Sequence, residues 1–284
     1  MRPGRTAPYV VALVLAALAV LAGCSASGEP EAAPTTSATP TETATPTPPP
    51  TAEPVPRPEA DACYDLTYDE VVAPVADDQE TVRCNRAHTS QTFRVGRIDN
   101  LVEGHLLAVD SDRVQDAVAE TCTDRLRDAV GATTEQLRLS VLRAVWFTPT
   151  LEESDAGADW YRCDVVATEG ADGLASVKGS LRDVLADQAG RDRLGMCGTA
   201  APDADGFSRV PCRDDHSWRA VSVVELEPGD YPGQGAVADA AEEPCRSLAE
   251  SRADDPLDYE WGFEGPDKQQ WRAGQTFVRC WLPD

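Results

Sequence analysis

Eight cysteines arranged as two sets of four constrain this chain more than any other feature. Cys63, Cys84, Cys122 and Cys163 are separated by 21, 38 and 41 residues, and Cys197, Cys212, Cys245 and Cys280 by 15, 33 and 35. The order is the same and the second set is tighter. The flanks keep register as well. Val82-Arg83-Cys84-Asn85-Arg86-Ala87-His88 faces Val210-Pro211-Cys212-Arg213-Asp214-Asp215-His216, with valine two before the cysteine and histidine four after it. Trp160-Tyr161-Arg162-Cys163 faces Phe277-Val278-Arg279-Cys280, and Gly157 and Gly274 each stand six residues before the last cysteine of their set. Register held over so many positions marks an internal repeat, which bounds the architecture before any local signal does.

Within each copy the same elements are expected. Residues 91–99 and 217–227 carry β-branched and aromatic positions with period-two stretches and read as strands. Residues 111–130 read as a helix with Asp110 as N-cap, since Val114, Val118, Cys122 and Leu126 fall on one face at i, i+4 spacing. The counterpart, about 236–252, carries Val237, Ala241, Cys245 and Leu248; Pro244 either kinks it or marks a late start. Apolar stretches at 138–148 and 258–264 precede the strand bearing the final cysteine. The fold class is therefore α+β: two tandem small disulfide-stabilised modules, each a short antiparallel sheet with one main helix.

The N-terminus is an address. Arg2 and Arg5 precede an apolar run from Tyr9 to Ala22, whose 14 residues suit a signal-peptide core better than a bilayer span. The run ends in Leu21-Ala22-Gly23-Cys24, which resembles a bacterial lipobox, and that resemblance implies lipidation of Cys24 as the first mature residue. Residues 25–60 hold ten of the 22 prolines and eight threonines with almost no large apolar side chain. Such a segment has nothing to offset the entropy of ordering and reads as a disordered tether, about 110 Å long at full polyproline stretch. Expected boundaries are 1–23 for the signal peptide, 24–60 for the lipidated cysteine and tether, 61–170 for module one, 171–195 for a connector and 196–284 for module two.

Eight remaining cysteines in an exported chain favour disulfides. Four cysteines allow three connectivities per module, and consecutive pairing is expected: Cys63–Cys84, Cys122–Cys163, Cys197–Cys212 and Cys245–Cys280. Cys122 and Cys245 sit on helix faces that must lie on the sheet, and the closing strand is the next cysteine-bearing element.

A cysteine near the start, a Val-x-Cys-x-x-x-His strand entry, a mid-helix cysteine and an aromatic-rich close resemble the septum formation domain of exported and membrane-anchored actinobacterial proteins. The resemblance covers 61–168 and 195–284 as two copies. The second copy has Phe263, Pro266, Trp271, Gly274 and Cys280; in the first, Phe147, Pro149, Gly157 and Cys163 align and Ser154 stands where the tryptophan belongs. The resemblance implies a cell-envelope role tied to septum formation and brings no catalytic residues.

Charge and motifs bound the function. Acidic residues outnumber basic ones 49 to 25, a net charge of −24, which argues against nucleic acid as a partner and against electrostatic binding to anionic lipid. On total charge a partner is expected to be neutral or cationic. Cys84 with His88 and Cys212 with His216 offer two metal ligands per module where a structural zinc needs four, so no metal and no cofactor is expected, and both histidines are read as structural hydrogen-bonders at a strand entry. No Gly-x-Ser-x-Gly elbow, Cys-x-x-Cys pair or Gly-rich phosphate loop occurs in the sequence. Trp271, in Gln269-Gln270-Trp271-Arg272, is the tryptophan expected to be exposed for contact. Together these features describe a non-enzymatic lipoprotein on the outer face of the cytoplasmic membrane, presenting tandem modules to a wall polymer or a divisome protein. The alternative is a wall-acting hydrolase or a metal-dependent envelope enzyme.

Overall fold

A computed structural model describes residues 55–75, 79–255 and 257–284. Cys24, the signal segment and the tether up to residue 54 lie outside the described residues. In the first half the elements run β1 (Cys63–Tyr64), α1 (Tyr68–Val72), β2 (Thr81–Val82), β3 (Ser90–Arg97), a small hairpin of β4 (Leu101–Val102) and β5 (His105–Leu106), α2 (Asp112–Ala129), α3 (Thr134–Arg138), β6 (Leu142–Phe147), α4 (Leu151–Asp155) and β7 (Trp160–Glu169). Then come β8 (Gly173–Leu174) and α5 (Gln188–Leu194). The second half runs β9 (Met196–Gly198), β10 (Arg209–Pro211), β11 (Trp218–Glu225), α6 (Gln234–Arg252), β12 (Gly262–Glu264), α7 (Lys268–Arg272) and β13 (Phe277–Pro283).

The two main sheets share one plan. The first has the order β2-β1-β3-β7-β6, with β8 added on β7, and the second the order β10-β9-β11-β13-β12. Substituting counterpart for counterpart, these are the same antiparallel topology. The likeness extends to an irregularity: the long central pair shifts register at Phe93 in one sheet, between Thr92 and Arg94, and at Val221 in the other, between Ala220 and Ser222. A bulge kept at matching positions bends both sheets at the same place, over the helix that packs on them. Those helices are α2 and α6. Val114, Val118, Cys122 and Leu126 are the buried residues of α2, as their spacing requires. In α6 they are Val237, Ala241, Cys245 and Ala249, one position beyond the expected Leu248.

Three local readings are corrected. The N-cap of α2 is Ser111, not Asp110. Pro244 lies inside α6 on its exposed face, so the carbonyl that loses its N–H partner, that of Ala240, faces water. Phe147 is not the counterpart of Phe263: Trp146 pairs with Cys163 and Phe263 pairs with Cys280, so Phe147 corresponds to Glu264. The short helices that follow do correspond. Thr150 caps α4 and Asp267 caps α7, each in a capping box with the residue three further on. Gly157 and Gly274 then leave these helices at φ of 102° and 92°, a conformation that strains any residue with a Cβ.

Four disulfides join consecutive cysteines, with Cα separations of 5.3, 5.3, 4.9 and 5.2 Å for Cys63–Cys84, Cys122–Cys163, Cys197–Cys212 and Cys245–Cys280. In each half the first bond links the short strand next to the sheet edge, β1 or β9, to the turn that follows the edge strand, β2 or β10. The second pins the helix to the central strand of its sheet.

Segment 171–195, read from sequence as a connector, is core material. Ala175, Val177, Leu181, Leu185 and Leu194 are each at most 1% exposed and pack with Leu142, Val165 and Ala167 of the first half and Met196, Ala220 and Trp281 of the second. Main-chain bonds stitch the halves at the same place. Val141 N–H donates to Leu194 O (3.0 Å), Met196 N–H to Leu139 O (2.8 Å) and Gly170 N–H to Arg209 O (2.7 Å). A shared core of this kind couples the unfolding of the two halves, because neither can open without exposing it.

Candidate functional site

The two Cys-x-x-x-His corners are built alike. The ring N–H at Nδ1 donates to the carbonyl two residues earlier, His88 to Arg86 O at 2.9 Å and His216 to Asp214 O at 2.7 Å. Each ring thus closes the turn that leads from the disulfide into the central strand. What surrounds the ring differs. His88 is fully buried, because residue 177 pairs with its main chain: His88 N–H donates to Val177 O (3.0 Å) and Val177 N–H to His88 O (2.8 Å). His216 has no such cover. Its Nε2 lies 3.1 Å from Oδ2 of Asp284, near the end of the chain.

Cys197, His216 and Asp284 bring three potential ligand atoms within 4.8 Å of one another. Cys197 is bonded to Cys212, so its sulfur is not a thiolate. A disulfide sulfur does not replace a thiolate in a zinc shell, and two donors are too few to close a tetrahedral site. The chemistry of this donor set does not suit a resident metal.

Trp271 is buried rather than exposed. It sits on α7 with 8% of its surface accessible, donates Nε1–H to Gly229 O at 2.9 Å and meets Tyr231 edge-on at 5.9 Å. The Asp267 cap turns a loop-like sequence into a helix whose fourth residue points inward. The expectation of an exposed contact tryptophan is therefore overturned.

Beneath the first sheet lies a buried ion pair. Arg162 Nε stands 3.0 Å from Asp164 Oδ1, and both side chains are at most 3% exposed. Ser90 and Thr92 each donate a hydroxyl to Asp164 at 2.8 Å, and the guanidinium lies 4.0 Å from the Tyr64 ring centre and 4.3 Å from that of Phe147. Burial raises the Asp164 carboxyl above its ordinary range, although Arg162 and the hydroxyls pull the other way. The rings flanking the guanidinium belong to the core cluster that includes Val71 of α1, and among the described residues the pair lines none of the three principal clefts, which gives it a structural role.

The open site is where the halves join. A cleft of about 970 Å³ is bounded by Gln136 and Ser140 of the first half, Gln188 and Asp192 of the joining segment, and Arg219 and Asp284 of the second. Arg219 is held between Asp192 (3.3 Å) and Asp284 (3.5 Å), so each ion of this group on the floor has an opposite partner. Its outer wall is acidic, formed by Asp254, Asp255, Asp258 and Glu260 after α6. Leu257 in that loop is 94% exposed. Sequence reasoning missed this cleft. Its walls come from five stretches far apart in the chain, and one of them, 185–195, lies in the segment whose sequence reads as a connector.

A family model described as septum formation matches residues 60–280 in one stretch that runs through both halves and the segment between them. No curated protein and no solved structure matches the chain. Among the described residues no helix is long and apolar enough to cross a membrane. With four disulfides, the repeated Cys-His corner and the match extending over most of its length, the chain belongs to the septum formation family.

Proposed function

We propose that this protein is a lipid-anchored envelope component that binds a wall polymer during septum formation and carries out no reaction of its own. The family and the four disulfides fit an extracytoplasmic protein acting in division or the envelope. The observation that carries the binding reading is the cleft at the joint. It is wide, it is formed only when both halves are present, and its floor holds ions that satisfy each other. A rigid body with such a cleft, on a tether rooted at Cys24, can search the zone next to the membrane while keeping its own geometry.

The anchor is tested by Cys24→Ala. The variant is expected to leave the membrane fraction for the soluble or secreted fraction, or to accumulate as unprocessed precursor of higher mass. Unchanged membrane fractionation and unchanged migration would remove the lipid anchor from this reading.

A further inference from the structure

A second cleft, of about 900 Å³, lies on the other side of the joint and has the opposite character. Arg143 of β6, Arg138 of α3 and Arg279 of β13 line it. Arg143 donates from Nη1 to two main-chain carbonyls, Ser140 O at 3.0 Å and Leu142 O at 2.6 Å, and among the described residues no carboxylate pairs with it. Arg279 is 4% exposed and donates Nε–H to Arg138 O at 2.8 Å. Its nearest carboxylate, Glu264 at 3.6 Å, is already bonded to Arg209. Arg138 pairs with Glu225, and the guanidiniums of Arg138 and Arg279 lie 4.2 and 4.9 Å from the centre of the Phe277 ring. Arg125 and Arg127 of α2 also line the cleft, together with the carboxylates of Asp124 and Asp128. With Arg209 behind the wall, six guanidiniums thus face four carboxylates, leaving two positive charges unneutralised in a chain of net charge −24.

The first half shows how this fold neutralises such an arginine. Arg162 is the counterpart of Arg279, and Asp164 two residues on pairs with it. In the second half the position of Asp164 is taken by Trp281, and Arg279 has lost that partner. The consequence is electrostatic stress. Burial pushes Arg143 down to about 9, with Arg279 and Arg209 adding repulsion. Burial likewise pushes Arg279 down to about 10, helped by Arg209 and Arg138. A guanidinium stays protonated at neutral pH, so the cost persists until an anion offsets it.

We propose that this cleft is a binding site for phosphate-bearing ligands that bring two negative charges, on one phosphate or on two neighbouring phosphodiesters. Guanidiniums that converge from a helix and two strands suit tetrahedral oxygens, which accept from several directions, better than one planar carboxylate. Thr134 and Gln275 on the same walls offer neutral donors for the rest of the ligand. The site deepens the binding reading by naming the chemistry of the ligand, and it rests on that reading only for the ligand's source.

The test is thermal unfolding of the full chain in detergent micelles at neutral pH, in sodium phosphate against sodium chloride of matched ionic strength. Phosphate is expected to raise the midpoint by about 3 °C. Arg143→Met is expected to lose that rise while melting at least as high as the natural protein in chloride, because an unneutralised, partly buried charge has gone. Arg143→Lys should keep part of the rise. Absence of a phosphate effect in the natural protein, or an equal effect in Arg143→Met, would overturn the proposal. So would a large drop of Arg143→Met in chloride, which would make the guanidinium a structural prop. Two further probes on the Cys24→Ala chain separate sources: a soluble glycerol phosphate oligomer that raises the midpoint identifies a wall-type phosphodiester, and phosphatidylglycerol vesicles that alone capture the protein identify a lipid headgroup. Loss of wall binding with the phosphate effect intact would count against the wall-polymer reading and not against this site.

Discussion

Asp164→Ala is expected to cost about 3–5 kcal/mol of folding stability, while Arg162→Met combined with Asp164→Leu costs within about 1 kcal/mol. The single change leaves a guanidinium buried between Tyr64 and Phe147 with its carboxylate gone, and it strands the hydroxyls of Ser90 and Thr92 as well. The double change removes both charges and fills the same volume with apolar atoms. The pH dependence has a defined sign. Burial raises the folded-state affinity of Asp164 for its proton, so its contribution to stability is largest at acid pH and declines as pH rises through the raised value. Urea unfolding of the three proteins at equal denaturant slope measures all of this. A single variant as stable as the natural protein would show that the pair does not hold the first half together.

Loss of the helix-to-sheet disulfides is the second large effect. Cys122–Cys163 and Cys245–Cys280 close loops of 41 and 35 residues, against 21 and 15 for Cys63–Cys84 and Cys197–Cys212. Removing Cys122–Cys163 as a pair of alanines is expected to cost about 2–4 kcal/mol, and about 0.9 kcal/mol more than removing Cys197–Cys212, from loop closure alone. The larger bonds also tie α2 and α6 to the sheets they cover, so their loss should loosen both helices together with the common core. Because Leu185, Leu194, Met196 and Trp281 belong to that one core, unfolding should remain a single transition in every variant. Two separated transitions, or a larger cost for the 15-residue loop, would contradict the shared-core architecture.

The parts of the fold legible in the sequence are those with a period or a register. Val114, Val118, Cys122 and Leu126 announce α2 because burial on a helix repeats every three to four residues. Val82 and Val210 mark matching edge strands because each stands opposite the first cysteine of its copy. Segment 171–195 was illegible because its buried residues, from Ala175 to Leu194, occupy mostly irregular backbone that imposes no period. Trp271 could have been placed correctly. Asp267 and Gln270 form a capping box, a signal of a helix start that the polar context concealed. The arginine cleft was invisible for a different reason. A net charge of −24 describes the whole surface, whereas Arg143 and Arg279 meet only after two distant strands are brought to one joint.

Binding without turnover is tested most directly by incubating the purified full-length protein with isolated cell walls and assaying pellet and supernatant together. The expected result is that the protein sediments with the walls, that inorganic phosphate at matched ionic strength displaces part of it, and that the supernatant gains no soluble wall fragments over a buffer control. Release of wall fragments that requires the intact protein would contradict the binding role and establish an enzyme, and failure to sediment at any salt concentration would contradict the wall as its partner.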